Sequence, residues 1–266
     1  MALRGGLMTA SGCAGVEGVR LVEEAFLSGC RIEAILFSDA GDRHRARLAG
    51  HLEKSAGAVP VLKTTDRLFE GIADTENPQG VAALVQPKHV SMDSMLRPPA
   101  GVPLLAVLAG VQDPGNVGTI LRTVAAFGAT GAVTCASGQS GTANPFSPKA
   151  LRASAGATLH LPVIAGMSLP ILIAQLRVAG VTMLASSVRA PGERDPGAAA
   201  PWTVDWRAPV ALLIGNEGAG LPEEVERSAD VRVRIPMADS AESLNAGAAA
   251  AVLFYEAARQ RNLLNS

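Results

Sequence analysis

The stretch LLAVLAGVQDPGNVGTILRTVAAFG, Leu104 to Gly128, decides the fold of this sequence. The opening LLAVLAG is an almost continuous apolar run, which is typical of a strand buried on both faces of a parallel sheet. Asp113-Pro114-Gly115 predicts a turn at the end of that strand, and Asn116 is the predicted N-cap of the next helix. Apolar residues then recur at helical spacing, at Val117, Ile120, Leu121, Val124 and Phe127. A buried strand followed by an amphipathic helix indicates an α/β protein.

The same alternation continues toward the carboxyl terminus. Further strands are predicted at GAVTCA, TLHLPV, VTMLASS, PVALLIG and VRVRIP, which begin at residues 131, 158, 181, 209 and 231. Helical segments lie between most of these strands. Strands that alternate with helices predict a parallel sheet covered on both sides, and residues 104–266 form the predicted second domain.

Residues 16–87 predict a separate, compact αβα unit. Its expected helices are GVRLVEEAFLSG, HRARLAGHLEKSAG and TDRLFEGIAD, and its expected strands are RIEAILFS, VPVLK and GVAALVQP. Residues 1–15 are expected to be a flexible N-terminus. Residues 88–103 are polar and rich in proline, without a periodic apolar face, and are interpreted as a linker between the two domains.

Composition limits the classes of function. Apolar residues make up 48% of the 266 residues and charged residues 18%, as in a well-packed α/β protein. A net charge of −1 and 3% aromatic residues mean that any nucleic-acid surface depends on local patches. The basic run Arg43–Arg47 is such a patch, although a solvated helix face explains it more simply.

Cysteine usage and hydropathy indicate the compartment. The three cysteines Cys13, Cys30 and Cys135 are scattered without metal-ligand spacing, which is typical of free thiols in a reducing compartment. No segment has the pattern of a signal peptide or of a membrane span. We therefore expect a cytoplasmic protein with no membrane partner and no metal.

Arg122 is the one charged side chain on its predicted helix after Asn116, and it points almost opposite the apolar stripe. Its small neighbours leave room for a ligand to approach the guanidinium. Arg122 is therefore either a solvated surface residue or the charged group of a site.

A second segment, ALLIGNEGAGLPEEV, runs from a predicted strand into Gly215, Gly218 and Gly220. Glycines at a strand end allow a ligand to approach the backbone, and ligands of open α/β sheets bind at the carboxyl ends of the strands. The order of the glycines is not that of a dinucleotide fingerprint, and Glu217 would repel a pyrophosphate. A purely structural glycine turn is the alternative.

A third segment, Arg234 to Gln260, contains a strand end at Ile235 and a helix that is predicted to open at Ser243. No charge occurs between Glu242 and Glu256, so most of that helix is predicted to be buried all round. Ser243 and Asn245 would place polar groups beside the glycine loop, although an ordinary buried helix needs no function. The four histidines and the sequence RASAG at residues 152–156 do not form the pattern of a hydrolase triad or metal site.

Taken together, Asn116 and Arg122, the I-G-N-E-G-x-G-L loop and the S-L-N-A-G segment resemble the three signature motifs of SpoU-type RNA ribose 2′-O-methyltransferases of the SPOUT class. Order and spacing match over residues 104–261. The residues T-E-N-P-Q-G at 75–80 resemble part of the ribosomal-protein-like substrate-binding domain that precedes many of these enzymes. The resemblance implies a methyltransferase domain with a trefoil knot, S-adenosylmethionine as cofactor, and a homodimer with the site at its interface.

The resemblance also implies a set of site residues. The catalytic residues it implies are Arg122, Asn116, Glu217, Ser243 and Asn245. The cofactor-binding residues are Gly215, Ile235, Met237 and Leu244. Lys149 and Arg152, in the segment NPFSPKALRASAG, are the expected RNA contacts. The family pattern departs at Gly247, where many members have a second serine, and a secondary polar contact is therefore in doubt.

The expected reaction is methyl transfer from S-adenosylmethionine to a ribose 2′-hydroxyl of structured RNA, with large-subunit ribosomal RNA as the favoured substrate. A transfer-RNA methyltransferase and a non-catalytic RNA-binding relative are the alternatives within this family. A nucleotide-dependent metabolic enzyme on a doubly wound sheet is the alternative from another class, and the order of the glycines argues against it.

Overall fold

A computed structural model describes residues 8–55, 57, 59–136, 141–187, 197–216, 218, 220–238 and 243–263. The strands are β1 (Ala14–Glu17), β2 (Arg31–Ser38), β3 (Val61–Thr64), β4 (Val81–Gln86), β5 (Leu104–Ala109), β6 (Gly131–Ala136), β7 (Val163–Ser168), β8 (Thr182–Ser186), β9 (Ala198–Ala199), β10 (Val210–Ile214) and β11 (Val231–Val233). The helices are α1 (Val19–Leu27), α2 (Arg45–Lys54), α3 (Asp66–Ile72), α4 (Met92–Leu96), α5 (Pro114–Ala126), α6 (Pro148–Ala153), α7 (Ala157–His160), α8 (Leu169–Val178), α9 (Glu223–Ser228) and α10 (Ala246–Gln260).

The chain divides into two compact units. Unit 1 consists of Met1–His89 with Pro145–His160, and unit 2 consists of Val90–Asn144 with Leu161–Ser266. Helices α6 and α7 therefore belong to unit 1, although Val90–Asn144, which separates them from the rest of that unit in the sequence, belongs to unit 2.

Unit 1 contains a four-stranded sheet in the order β1-β4-β2-β3. Strand β1 was not predicted, and it includes Ala14 and Gly15 of the segment that was expected to be flexible. It pairs antiparallel with β4, with Ala14 opposite Val85, and all its residues are buried. Its sequence AGVE is short and lacks polar–apolar alternation, so its structure depends on the partner strand rather than on a local pattern.

The other predicted strands and helices of unit 1 agree with the structure. Strand β2 has the predicted bounds, and Thr65 caps α3 by accepting a hydrogen bond from the Leu68 N–H. The basic run at Arg43–Arg47 lies on α2 and the turn before it. Arg45 bonds to Asp42 and lies 5.0 Å from the Phe37 ring centroid, and Arg47 pairs with Glu23. This agrees with the simpler interpretation of the run as a solvated face.

The strand predicted at TLHLPV, residues 158–163, is wrong except at its last residue. Residues 158–160 lie in α7, and the strand β7 begins only at Val163. Thr158 and Leu159 are buried by a single helical turn. A short apolar run is compatible with the periodicity of a helix and with that of a strand, and the local sequence does not distinguish between them.

Unit 2 contains a seven-stranded parallel sheet in the order β7-β6-β5-β10-β8-β11-β9. All residues of β5 and β10 are buried, as the apolar runs predicted. Leu108 of β5 lies opposite Ile214 of β10, and Ser186 of β8 lies opposite Val233 of β11. The carboxyl ends of these four strands therefore meet at one edge of the sheet, and the predicted α/β fold with a parallel sheet is confirmed.

The segment interpreted as a linker contains structure. Ser91 caps the short helix α4 by accepting a hydrogen bond from the Ser94 N–H, and Met95 is buried in the core of unit 2. Val90, Met92 and Leu96 also pack against this core. The apolar residues of this short, proline-rich segment form no extended periodic pattern, so the anchoring could not be predicted from the sequence.

Helix α10 packs against α5 and is fixed at its carboxyl end by Arg261. The Arg261 guanidinium donates to the backbone oxygens of Val102, Pro103, Trp206 and Ala208 at 2.7–3.0 Å. Burial lowers the pKa of this guanidinium from its ordinary value. These bonds fix the end of α10 to the segment that leads into β5.

The prediction that most of α10 is buried all round is wrong. Val252 is 42% exposed and Tyr255 is 49% exposed, and they lie on the face opposite Ala250, Leu253 and Phe254. The helix is thus uncharged over most of its length but only half covered by its own chain.

Candidate active site

A pocket lies at the carboxyl ends of β8, β10 and β11. It contains about 650 Å³ of space continuous with solvent. The residues that line it include all four predicted cofactor-binding residues, Gly215, Ile235, Met237 and Leu244. They come from three segments, namely the loop after β10, the loop after β11 and the residues before α10. The parallel sheet brings these segments together because it aligns the carboxyl ends of its strands.

The glycine loop forms one wall of the pocket. The Asn216 N–H and the Gly220 N–H each donate to the other residue's carbonyl oxygen, at 2.9 and 3.0 Å. At Gly215 the chain passes so close to the Gly220 backbone that a Cβ atom would overlap it. The absence of a side chain at Gly215 is therefore required by the shape of the loop. The predicted catalytic residue Glu217 lies outside the described residues.

The side chain of Asn216 joins this loop to the neighbouring strand. Its Nδ2 donates to the carbonyl oxygen of Gly110, directly after β5, at 3.1 Å. Its Oδ1 accepts a hydrogen bond from the Gly218 N–H at 2.9 Å. Sequence reasoning included Asn216 in the motif but gave it no role.

Ser187 is a pocket residue that sequence reasoning missed. It follows β8 and lines the pocket beside the glycine loop. Its hydroxyl is buried and has no hydrogen-bond partner within the described part of the chain. A buried hydroxyl without a partner carries a desolvation penalty, which a polar ligand group could offset. The only available signal in the sequence was its position as the last residue of the predicted strand VTMLASS.

The first turn of α5 differs from the prediction. Asp113, not Asn116, is the N-cap, because its carboxylate accepts a hydrogen bond from the Asn116 N–H at 3.2 Å. Pro114 occupies the first helical turn, where its missing N–H costs nothing. Asn116 therefore lies within the helix, and its side-chain oxygen accepts a hydrogen bond from the Asn245 amide.

The start of α10 was also predicted too early. The helix begins at Ala246 with Asn245 as its N-cap, so Ser243 lies before the helix rather than at its first position. Asn245 Oδ1 accepts a hydrogen bond from the Gly247 N–H at 2.8 Å, and Asn245 Nδ2 donates to Asn116 Oδ1 at 3.1 Å. The structure thus brings two of the predicted catalytic residues together.

The packing around Gly247 explains why this chain departs from the family pattern at that position. A Cβ atom there would lie 2.8 Å from Thr119 Cγ2 and 3.1 Å from Asn245 Oδ1. Thr119 cannot turn away freely, because its hydroxyl donates to the Gly115 carbonyl oxygen at 2.8 Å. In this chain a glycine allows the close approach of α10 to α5.

Arg122 is exposed on α5. It forms no hydrogen bond or ion pair with any described residue, and it is not one of the described residues that line the pocket. Asn116, Ser243 and Asn245 are likewise not among the described lining residues, although the last two flank Leu244. A single chain therefore holds the predicted cofactor residues in one pocket and Arg122 outside it.

Lys149 and Arg152 lie on α6, within unit 1. Lys149 is exposed. Arg152 Nη2 pairs with Asp74 Oδ2 at 2.6 Å, and Arg152 Nη1 is buried without a hydrogen-bond partner among the described residues. Asp74 thus balances the charge of Arg152, while the Nη1 donor stays without a described partner.

Other types of site receive no support from the described part of the chain. No cluster of three or more potential His, Cys, Asp or Glu metal ligands occurs there. Cys13, Cys30 and Cys135 are free thiols, as predicted, and all are buried. Among the described helices, none combines the length and apolar character that crossing a membrane requires.

A parallel α/β sheet with a pocket at the carboxyl ends of its strands, walled by a glycine loop and by the residues before a helix, defines the class of cofactor-binding α/β proteins. Residues 103–255 match the model of the SpoU rRNA Methylase family, and residues 9–83 match that of the MRM3-like substrate binding domain. The chain belongs to the SpoU rRNA Methylase family, with an N-terminal substrate-binding domain.

Individual relatives agree with this assignment. The chain is 31% identical over 242 residues to the 23S rRNA (guanosine(2553)-2′-O)-methyltransferase RlmP of Bacillus subtilis, covering 90% of this chain and 86% of the relative. It is 32% identical over 250 residues to a 23S rRNA (uridine(2479)-2′-O)-methyltransferase of Streptomyces viridochromogenes, covering 92% and 82%. The structure of the SpoU methyltransferase AviRb from Streptomyces viridochromogenes in complex with AdoMet matches with a TM-score of 0.77 at 28% identity, covering 95% of this chain and 92% of that one.

Proposed function

We propose that this chain transfers a methyl group from S-adenosylmethionine to a ribose 2′-hydroxyl of large-subunit ribosomal RNA. The observation that carries the proposal is the convergence of Gly215, Ile235, Met237 and Leu244 on one pocket. Membership of the SpoU family and the activities of two relatives on 23S ribosomal RNA support the reaction and the substrate.

The pocket fits S-adenosylmethionine in its chemistry. Ile235, Met237 and Leu244 supply apolar surface, and Gly215 exposes backbone groups that a side chain would otherwise cover. The Ser187 hydroxyl is a buried polar group without a described partner, and a polar group of the cofactor would satisfy it. S-adenosylmethionine, when bound, supplies an electrophilic methyl group.

Arg122 is the residue that we assign to the substrate. A guanidinium group stays protonated under ordinary conditions, so it is poorly suited to remove a proton from a hydroxyl. Arg122 instead binds a phosphate of the substrate and orients the neighbouring hydroxyl. Asn116 and Asn245 position this region through their mutual hydrogen bond, and Ser243 and Glu217 complete the site.

We further propose that two copies of the chain form the complete site. Arg122 is exposed and lies outside the pocket of its own chain. The adjacent face of α10 exposes the apolar side chains of Val252 and Tyr255, and the Tyr255 ring contacts Phe127 edge-on at a centroid distance of 5.8 Å. A dimer through this face would cover these apolar groups and bring Arg122 to the pocket of the partner.

The remaining assignments follow the family pattern. Residues 16–87 bind RNA, residues 88–103 connect the domains, and residues 104–266 carry the methyltransferase activity. Lys149 and Arg152 contact RNA phosphates. The trefoil knot stays a prediction, as does a cytoplasmic location, which we expect because ribosomal RNA is the proposed substrate.

Transfer of tritium from labelled S-adenosylmethionine to ribosomal or transfer RNA tests the reaction. We expect label in 23S ribosomal RNA prepared from a strain that lacks the gene, and mapping of 2′-O-methylation then identifies the nucleotide. Label in transfer RNA alone would contradict the proposed substrate. RNA binding without methyl transfer to either RNA would indicate a non-catalytic relative.

A further inference from the structure

A second cavity is lined entirely by residues of unit 1 and shares no lining residue with the methyltransferase pocket. It contains about 780 Å³ of space open to solvent. It lies between the turn from β1 to α1, the loop at residues 74–80 and the end of α6. The polar side chains that line it belong to Glu17, Arg20, Thr75, Asn77, Gln79 and Arg152.

The acceptor atoms of this cavity are largely used by the protein itself. The buried Glu17 carboxylate accepts hydrogen bonds from the Asp74 N–H at 2.7 Å and from the Thr75 hydroxyl. Gln79 Oε1 accepts a hydrogen bond from the Val19 N–H at 3.0 Å, in the first turn of α1. The Glu17 carboxylate and the Gln79 side-chain oxygen therefore already accept hydrogen bonds from the protein itself.

Several donors are not used in this way. Arg20 is exposed and has no hydrogen bond or ion pair with a described residue, and Arg152 Nη1 is buried without such a partner. The Nε2 of Gln79 and the amide of Asn77 also lack hydrogen bonds to the described residues. The cavity thus offers an excess of N–H donors, which is the requirement for an anionic ligand.

The formal charges around the cavity balance, so its suitability for an anion rests on the unused donors. Arg20 and Arg152 contribute two guanidinium groups, which are offset by the carboxylates of Glu17 in the lining and of Asp74, the ion-pair partner of Arg152. The Glu17 carboxylate already accepts two hydrogen bonds from the protein itself. The cavity is also lined by Gly18 at the amino-terminal end of α1, where the helix dipole is positive. Guanidinium groups in this arrangement suit the oxygen atoms of a phosphate.

We propose that this cavity binds a backbone phosphate of the RNA, with Arg20, Gln79 and Arg152 as its donors. The inference rests on the proposed RNA substrate and adds a contact site in unit 1. It also gives the segment at residues 75–80 a purpose. Thr75 and Gln79 shape the cavity, and Gly80 adopts a φ of +75° where a Cβ atom would overlap Ser38 and Gly41.

Two substitutions test the proposal without disturbing the fold. Arg20→Gln removes a charge from an exposed side chain. Gln79→Glu keeps the acceptor for the Val19 N–H but places a second oxygen where the donor was. Arg31→Gln is the matched control, because Arg31 lies in the same unit, is 73% exposed at its side chain and does not line the cavity.

Binding of the full chain to an unmodified 23S ribosomal RNA transcript and to a short oligouridine is measured at several salt concentrations. We expect Arg20→Gln and Gln79→Glu to weaken binding of both RNAs by about tenfold at low salt. For Arg20→Gln, the salt slope should fall by about one. Arg31→Gln should bind like the unmodified protein, and S-adenosylmethionine affinity should be unchanged in all three variants.

The proposal is overturned if both cavity variants bind RNA normally, if Arg31→Gln weakens binding equally, or if the unmodified protein binds neither RNA. The proposed function fails separately. If the cavity variants weaken oligouridine binding but the unmodified protein methylates no RNA, the phosphate site stands and the enzymatic assignment does not.

Discussion

The side-chain amide of Asn245 donates to the side-chain oxygen of Asn116 across 3.1 Å. The same Asn245 side chain caps α10 through its oxygen, at 2.8 Å from the Gly247 nitrogen. Asn245 therefore fixes the start of α10 and connects it to the first turn of α5. Arg122 lies further along the same helix α5. This double role makes Asn245 the residue whose two functions can be separated by mutation.

Asn245→Ala should lower both stability and activity. Loss of the cap costs about 1 kcal/mol in the free energy of unfolding. Asn245→Asp keeps the acceptor for the Gly247 N–H but loses the donor to Asn116. We expect it to retain stability in urea unfolding and yet to lose methyl transfer. Equal activity of Asn245→Asp and the unmodified protein would exclude a role for the Asn116 contact.

Arg122→Lys should reduce turnover by about a hundredfold and leave S-adenosylmethionine affinity unchanged, since lysine keeps the charge but loses the planar fork that grips a phosphate. Single-turnover methyl transfer and calorimetric titration of the cofactor measure the two effects. Near-normal turnover with intact cofactor affinity would remove Arg122 from the chemistry.

Gly247→Ser introduces the side chain that many family members have at this position. We expect destabilisation by about 1–3 kcal/mol, because its Cβ would lie 2.8 Å from Thr119 Cγ2. Thr119→Ser removes that methyl group, so the double variant should recover part of the loss. Urea unfolding of both single variants and the double variant measures the coupling, and additive effects would contradict the steric explanation.

Val252→Glu should dissociate the proposed dimer, because an unpaired charge would be buried at the interface. Val178→Glu on α8 is the control, since Val178 is 91% exposed. Sedimentation velocity should show a monomer for the first variant and a dimer for the second. Only the first should lose methyl transfer. A dimer that survives Val252→Glu would move the interface elsewhere.

Alkaline pH should destabilise the fold partly through Cys135. Burial raises the pKa of this thiol from 9.0 to about 12. Between these values the unfolded chain releases the proton and the folded chain keeps it, so stability falls as pH rises, by at most about 1.4 kcal/mol per pH unit. Cys135→Ala should show a shallower loss in urea unfolding above pH 9, and an identical slope would contradict a buried neutral thiol.

Five of the seven strands of the parallel sheet, namely β5, β6, β8, β10 and β11, could be predicted because local apolar composition indicates their burial, whereas β7 and β9 were missed. Residues 104–109 are apolar throughout and are buried throughout. The convergence of Gly215, Ile235 and Leu244 was also expected, since the family motifs place these residues at strand ends and at a helix start. The first prediction needs only a short segment, whereas the second rests on the resemblance of three separate segments to the family motifs.

Features that depend on distant partners could not be predicted. Strand β1 requires β4, and Met95 requires the core of unit 2. Asn245 and Asn116 are 129 residues apart, and neither residue indicates its partner. The glycine at position 247 was expected to lose a polar contact, and the close approach of Thr119 that explains it appears only when the two helices are packed together.

The four carbonyl contacts of Arg261 have a consequence for the opposite end of α10. The helix has 15 residues and spans about 22 Å, so the anchoring cation and the amide at its start are far apart but rigidly connected. Removal of Arg261 together with the residues that follow it would therefore impair methylation, although no group near the reacting atoms is changed. Loss of activity after trimming at that end would report a lost anchor, not a missing catalyst.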